Sequence, residues 1–210
     1  MKLTLPFCLI AACLLAGCAT LNKHECQHAN WYAIGLEDGA QGHGIERIGQ
    51  HRQACAKLGI VPEVEDYRAG LDEGHSHYCT NARGYQRGRS GQSNPQVCRG
   101  QAAVDFNQAY NLGREHYRLK GAITDLDQQM DDYQQRLTEL AEEASSHEQQ
   151  LLHKAQDADT RRHHLQSLRA IEQEIKEVHE SITYLERELI VAQEDLFQLQ
   201  DEHRQLGFSF

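Results

Sequence analysis

Glycine, proline and cysteine fall on one side of this chain. All 7 Cys, all 3 Pro and 15 of the 16 Gly lie at or before Gly121, and residues 122–206 contain none of the three. A stretch that long without helix breakers or staples has the composition of long helix. The part before it holds the turns and the candidate cross-links, so two physically different segments are joined. The formal charge of −10 is divided just as unevenly. Residues 116–210 carry 10 Lys+Arg against 20 Asp+Glu, and residues 18–115 carry 10 against 11. An acidic balance argues against nucleic acid, whose binders carry basic patches. Charged residues make up 25%, which excludes a polytopic membrane protein.

Residues 1–17 have the layout of a secretory leader. Lys2 supplies the positive start, and Leu5 to Leu15 is an apolar run of signal length. That run is shorter than the roughly 20 apolar residues a bilayer span needs. It ends Leu15-Ala16-Gly17-Cys18, which resembles the lipobox of bacterial lipoproteins. The resemblance implies acylation of Cys18 as the first mature residue, and Ala19 after it implies the outer membrane. The competing Ile10-Ala11-Ala12-Cys13 would leave only a stub of apolar run. More than one acyl chain gives stable anchoring. An oxidising periplasm then favours pairing of the four remaining cysteines, Cys26, Cys55, Cys79 and Cys98. Three connectivities are open.

The cysteine segment reads as a duplicated unit. Cys26 is followed by Tyr32 and Gly35, and Cys79 by Tyr85 and Gly88, at the same offsets. Cys55 leads in the same way to Tyr67 and Gly70, and Cys98 to Tyr110 and Gly113. Tyr and Gly three apart, with a further Gly at i+4 in Gly39 and Gly74, share one helix face. Glycine inside a helix costs about 1 kcal/mol against Ala. Its recurrence therefore predicts close approach of a neighbouring backbone or ring. Helices are expected near 29–41, 45–58, 63–78, 81–90 and from about 100. Were the first two an antiparallel hairpin, Cys26 and Cys55 would meet at its open end, and Cys79 and Cys98 likewise. Symmetry alone leaves the pairing open.

The C-terminal segment predicts a coiled coil. Ile123, Leu126, Met130, Tyr133, Leu137, Leu140 and Ala144 alternate at spacings of 3 and 4. A second seam runs through Leu168, Ile171, Ile175, Val178, Ile182, Leu185 and Leu189 to Leu199. The polar stretch Lys154 to His164 between them predicts an antiparallel hairpin turning near 156–163, with Asp159 as a helix cap. One continuous dimerising rod is the alternative. The fold expectation is all-α: a leader at 1–17, an anchor and linker at 18–28, a small disulfide-stapled helical module at 29–118, a helical-hairpin coiled coil at 119–206 and a tail at 207–210.

The residues show no assembled chemistry. His24 and His28 flank Cys26, and His75 and His77 precede Cys79, at metal-ligand spacing. Oxidised cysteines cannot ligate, so no metal or other cofactor is expected. A metal site using His24, His75 and His77 is the alternative. Asp38 and His51 come nearest to an acid/base pair, but nothing in the sequence positions them. Enzyme activity is therefore not expected, and an enzyme built on Asp38 and His51 is the remaining alternative. Trp31, Tyr32, Asp38 and His51 are the candidate interaction residues.

Several of these residues form an ordered set: Trp31-x-x-x-Gly35-x-x-Asp38-Gly39, His51-x-x-x-Cys55, and Tyr67-x-x-Gly70-x-x-x-Gly74-x-x-x-Tyr78-Cys79. It continues with Gly84-Tyr85-x-x-Gly88, Cys98 and Phe106-x-x-x-Tyr110-x-x-Gly113. Over about 26–118 the chain resembles the DUF2799 family of bacterial lipoproteins. That family has no assigned biochemical function, so the resemblance carries over no catalytic residue. The expectation is a non-enzymatic structural or interaction protein held to the outer membrane through Cys18 and facing the periplasm. Its expected partners are an unidentified envelope protein and, through the coil, a second copy of itself.

Overall fold

The computed structural model describes residues 20–153 and 157–209; the expected leader and Cys18 lie outside them. The described residues form seven helices and no strand. In order these are α1 (Lys23–Gln27), α2 (Trp31–Ala40), α3 (Arg47–Cys55) with a 3-10 turn at Ala56–Leu58, α4 (Val64–Tyr78), α5 (Asn81–Arg89), α6 (Gly100–Leu151) and α7 (Ala158–Gln205). They fall into two compact units. The first holds the residues to Arg87 with Gln92–Asn111, and the second holds Gly88–Gly91 with the residues from Leu112 onward.

Local chemistry sets the starts of the first helices. Asn22 accepts a bond from the Glu25 backbone while Glu25 accepts one from the Asn22 N–H, so α1 opens with a complete capping box. This helix lies within the stretch read as linker. Asn30 caps α2 by accepting from the Ala33 N–H. Gly59, left-handed at φ 70°, closes the 3-10 turn.

The first unit is built on the crossing of α2 and α4. A Cβ placed on Gly35 or Gly39 would overlap the carbonyl oxygens of Tyr67 and Leu71. One placed on Gly70 or Gly74 would overlap those of Tyr32 and Leu36. The close approach expected from the glycines is thus between two backbones, and it is reciprocal. Position 35 meets 67 and position 39 meets 71, so α2 and α4 run in the same direction. Cys26, Trp31, Ile48, Cys55, Tyr67 and Leu71 form the core beside the crossing.

The cysteines pair as Cys26–Cys55 and Cys79–Cys98. Cys26 reaches its partner from α1, which packs on α3 and the 3-10 turn. The bridges close sequence separations of 29 and 19, and each contributes about 2–4 kcal/mol. The second copy repeats the first with its own details. Gly84 approaches the Phe106 backbone, and Tyr78 stacks on Phe106. A left-handed glycine follows the leading helix of each copy, Gly42 at φ 79° and Gly91 at φ 73°. Each lies against a tyrosine ring, Tyr78 or Tyr117, with no room for a Cβ.

The second unit is an antiparallel pair formed by α6 and α7. His147 meets His164 at its tip, Arg136 meets Glu174 further along, and His116 meets Gln200 far from the tip. Leu140, Ile171 and Val178 are buried between the helices, flanked by Tyr133, Leu137, Ala144, Ile175 and Ile182. The turn comes earlier than expected. α6 ends at Leu151, and Asp157 caps α7 by accepting from the Asp159 and Thr160 N–H groups. The polar residues Arg161 to His164 suggested a break. They instead occupy the first turns of α7, where no Gly or Pro stops a helix and polar side chains face water. Toward the other end the pair buries two histidines, His116 and His203. Burial, and for His116 the nearby charge of Arg89, holds both imidazoles below their usual range.

The crossing gives a contrast that equilibrium denaturation can measure. Gly70→Ala forces a methyl into the Tyr32 carbonyl and is expected to cost about 1–3 kcal/mol or more. Gly49→Ala on α3 meets nothing within 4 Å; it is expected to be neutral or to stabilise by about 0.5–1 kcal/mol.

Candidate functional site

The α2–α4 crossing places polar groups as well as backbones. Asp38 precedes Gly39 on α2, and Tyr67 lies one turn before Gly70 on α4. The Tyr67 hydroxyl donates to Asp38 Oδ2 at 2.7 Å. His51, on α3, brings Nε2 to 2.6 Å from the same oxygen. Arg47, one turn earlier on α3, places Nε 3.8 Å from Asp38 Oδ1. All three of Asp38, His51 and Tyr67 are buried, and a buried carboxylate needs such partners.

Burial alone would push the Asp38 carboxyl up. The hydrogen bonds from His51 and Tyr67, with the charges of His51 and His43, outweigh it and hold the group below its usual value. Burial first, then the hydrogen bond to Asp38, pushes the Tyr67 hydroxyl well above its usual value. An ionised carboxylate only accepts, so the His51 hydrogen facing it sits on Nε2. The other ring nitrogen, Nδ1, lies in hydrogen-bond contact with the Thr20 hydroxyl, 2.8 Å away.

Thr20, His51 and Asp38 therefore form a hydrogen-bonded chain from the start of the described residues into the core. Its order, hydroxyl to imidazole to carboxylate, is that of a general-base relay. The carboxylate here is shared among His51, Tyr67 and Arg47 rather than devoted to the imidazole. What the arrangement does first is fasten three helices and the segment before α1 to one buried charge. Beside it lies an open cleft of ≈ 550 Å³ lined by residues including Leu21, His24, Ala33, Ile34, Arg47 and His51.

The other sequence candidates are placed as follows. Trp31 is in the core, and Tyr32 is exposed with its hydroxyl bonded to Glu73. Of the four interaction candidates, only Asp38 and His51 are brought into contact in the site. His24 stacks on His28 within α1, and His75 donates through Nε2 to the His43 carbonyl at 2.7 Å. The described residues gather no group of three His, Cys, Asp or Glu able to hold a metal, and Cys26 and Cys79 are spent in disulfides. Thr20 and Tyr67 belong to the site and were not singled out for it. The sequence marks Tyr67 only through its Tyr-x-x-Gly spacing, and no local pattern marks Thr20.

The depressed Asp38 carboxyl fixes a pH dependence. The unfolded chain binds its proton at the ordinary value of about 3.9. The folded carboxylate holds on to ionisation below that, so its stabilisation is present above about pH 4 and is lost as pH falls through the lower folded value. Thermal melts across this acid range are expected to show a steep loss in the native chain and a flattened one in Asp38→Asn. Parallel acid limbs would contradict the assignment.

No curated protein and no solved structure matches the chain. Residues 30–115, which contain Asp38, His51, Tyr67 and all the glycines of the crossing, match the family described as protein of unknown function (DUF2799).

Proposed function

We propose that this chain is a lipid-anchored bacterial envelope protein, facing the periplasm from the outer membrane, with a disulfide-bonded module beside the bilayer and a coil that serves as a non-catalytic partner-binding arm. One observation carries the reading. The Thr20 hydroxyl is bonded to His51 only two residues after the lipobox cysteine. Two residues span at most about 7 Å, so an acyl group on Cys18 would tether the module at the bilayer surface without a linker.

Other features support it. Leu15-Ala16-Gly17-Cys18 has the form of an acylation site, and Ala19 suits the outer membrane. Two disulfides suit an oxidising compartment. No helix among the described residues is long and apolar enough to cross a membrane. The 48 residues of α7 extend about 70 Å, enough for an arm. The sharing of Asp38 between two donors and the Arg47 ion pair favours a structural role for the buried relay over catalysis.

Fractionation tests the anchor. The native chain is expected to incorporate labelled palmitate and sediment with outer membranes, and Cys18→Ser to do neither. A Cys18→Ser chain that still sedimented with membranes would overturn the reading.

A further inference from the structure

The seam of α7 uses Ile171, Val178 and Leu185, all buried against α6. Further along the same helix, large apolar side chains face solvent. Ile190 is 66% exposed, Val191 58% and Phe197 61%. Ile190 and Phe197 are seven residues apart and lie along one line of the helix, off the buried seam. Glu188, Asp195 and Glu202 are also seven apart and form a second line. Val191 and Glu194 lie between the two, Val191 adjoining Glu188 and Asp195, and Glu194 adjoining Ile190 and Phe197.

Between Arg187 and Arg204 this stretch has one sign of charge. From Glu188 to Glu202 there are five acidic residues and no Lys or Arg. On the coil Arg136 serves Glu139, Glu143 and Glu174, and Lys176 serves Glu180; within this stretch Arg204 serves Asp201. No ion pair to Glu188, Asp195 or Glu202 occurs among the described residues.

We infer that the face of α7 between Glu188 and Glu202 docks a basic amphipathic helix of a partner protein, apolar along one edge and Lys/Arg-rich along the other. Ile190, Val191 and Phe197 would supply the apolar contact, as buried anchors do in helix-to-groove recognition. The acidic line would supply register and attraction. A second copy fits poorly, since it would set the same acidic line against itself. An anionic bilayer surface is repelled for the same reason. The inference rests on the proposed role of the coil as the partner-binding arm.

The probe is a short fluorescent helix with Leu along one face and Lys along its flank, titrated into the full chain purified in detergent. A peptide of identical composition in scrambled order and a Glu-for-Lys peptide are the controls. The Leu/Lys helix is expected to bind. Ile190→Ser with Phe197→Ser is expected to weaken it by about tenfold or more. Glu188→Lys with Asp195→Lys is expected to weaken it similarly and to remove most of its salt dependence. These side chains are exposed, so circular-dichroism melts are expected to stay unchanged.

Equal binding of the scrambled peptide, or unchanged binding by either variant, would overturn the inference. So would a concentration-dependent dimer in sedimentation that the Ile190→Ser/Phe197→Ser variant abolishes, which would assign the face to a second copy. Binding of the coil face to anionic vesicles, lost in that variant, would assign it to lipid. A chain that sediments with membranes through Cys18 yet ignores the peptide would refute this inference alone and leave the anchoring intact.

Discussion

Backbone contact between α2 and α4 is the constraint on which the first unit depends. Four glycines give up about 1 kcal/mol each in helix propensity, and in return two helices touch without intervening side chains. That approach sets the distance between Asp38 on one helix and Tyr67 on the other. It also fixes where α3 must lie for His51 to reach the same carboxylate. The Cys26–Cys55 bridge ties α1 to the end of α3, so the polar chain from Thr20 to Asp38 is held from both sides. A core with few large aliphatic residues is thereby compensated by close packing, covalent staples and one well-satisfied buried charge.

The second unit follows different physics. It has no staple and none of the close glycine crossings, and it depends on apolar layers between two long helices. Its polar features fall where the apolar seam weakens. His147 and His164 meet at the tip, and His116 and His203 are buried toward the other end. The acidity that dominates the chain's net charge is carried on the outward faces of this pair, where it keeps the helices soluble and gives one stretch of α7 a distinct character.

The all-α class, the long helices of the Gly-free stretch and the glycine faces were legible in the sequence because each is a local periodicity. The partner of each glycine face was not. Periodicity shows that Gly35 and Gly39 share a surface, but not that α4 rather than α3 covers it. The parallel course of α2 and α4 is a long-range fact of that kind. So is the meeting of Thr20 with His51, which joins an unpatterned residue to one 31 positions away. Two further details are written in local chemistry. Asn22-x-x-Glu25 is a capping-box spelling, and Asp157 offers a cap two residues before Asp159. Ile190, Val191 and Phe197 already fall off the heptad seam in the sequence, and the structure adds that nothing else among the described residues covers them.

Native-state hydrogen exchange on the oxidised chain tests most directly whether the α2–α4 crossing holds the first unit together. Amides around Gly35–Gly39 and Gly70–Gly74 are expected to exchange only through global opening of that unit, with one shared free energy, while those of the short α1 exchange through smaller local openings. If the amides of α2 and α4 exchanged as readily as those of α1 while the unit stayed folded, the crossing would not be what the fold depends on.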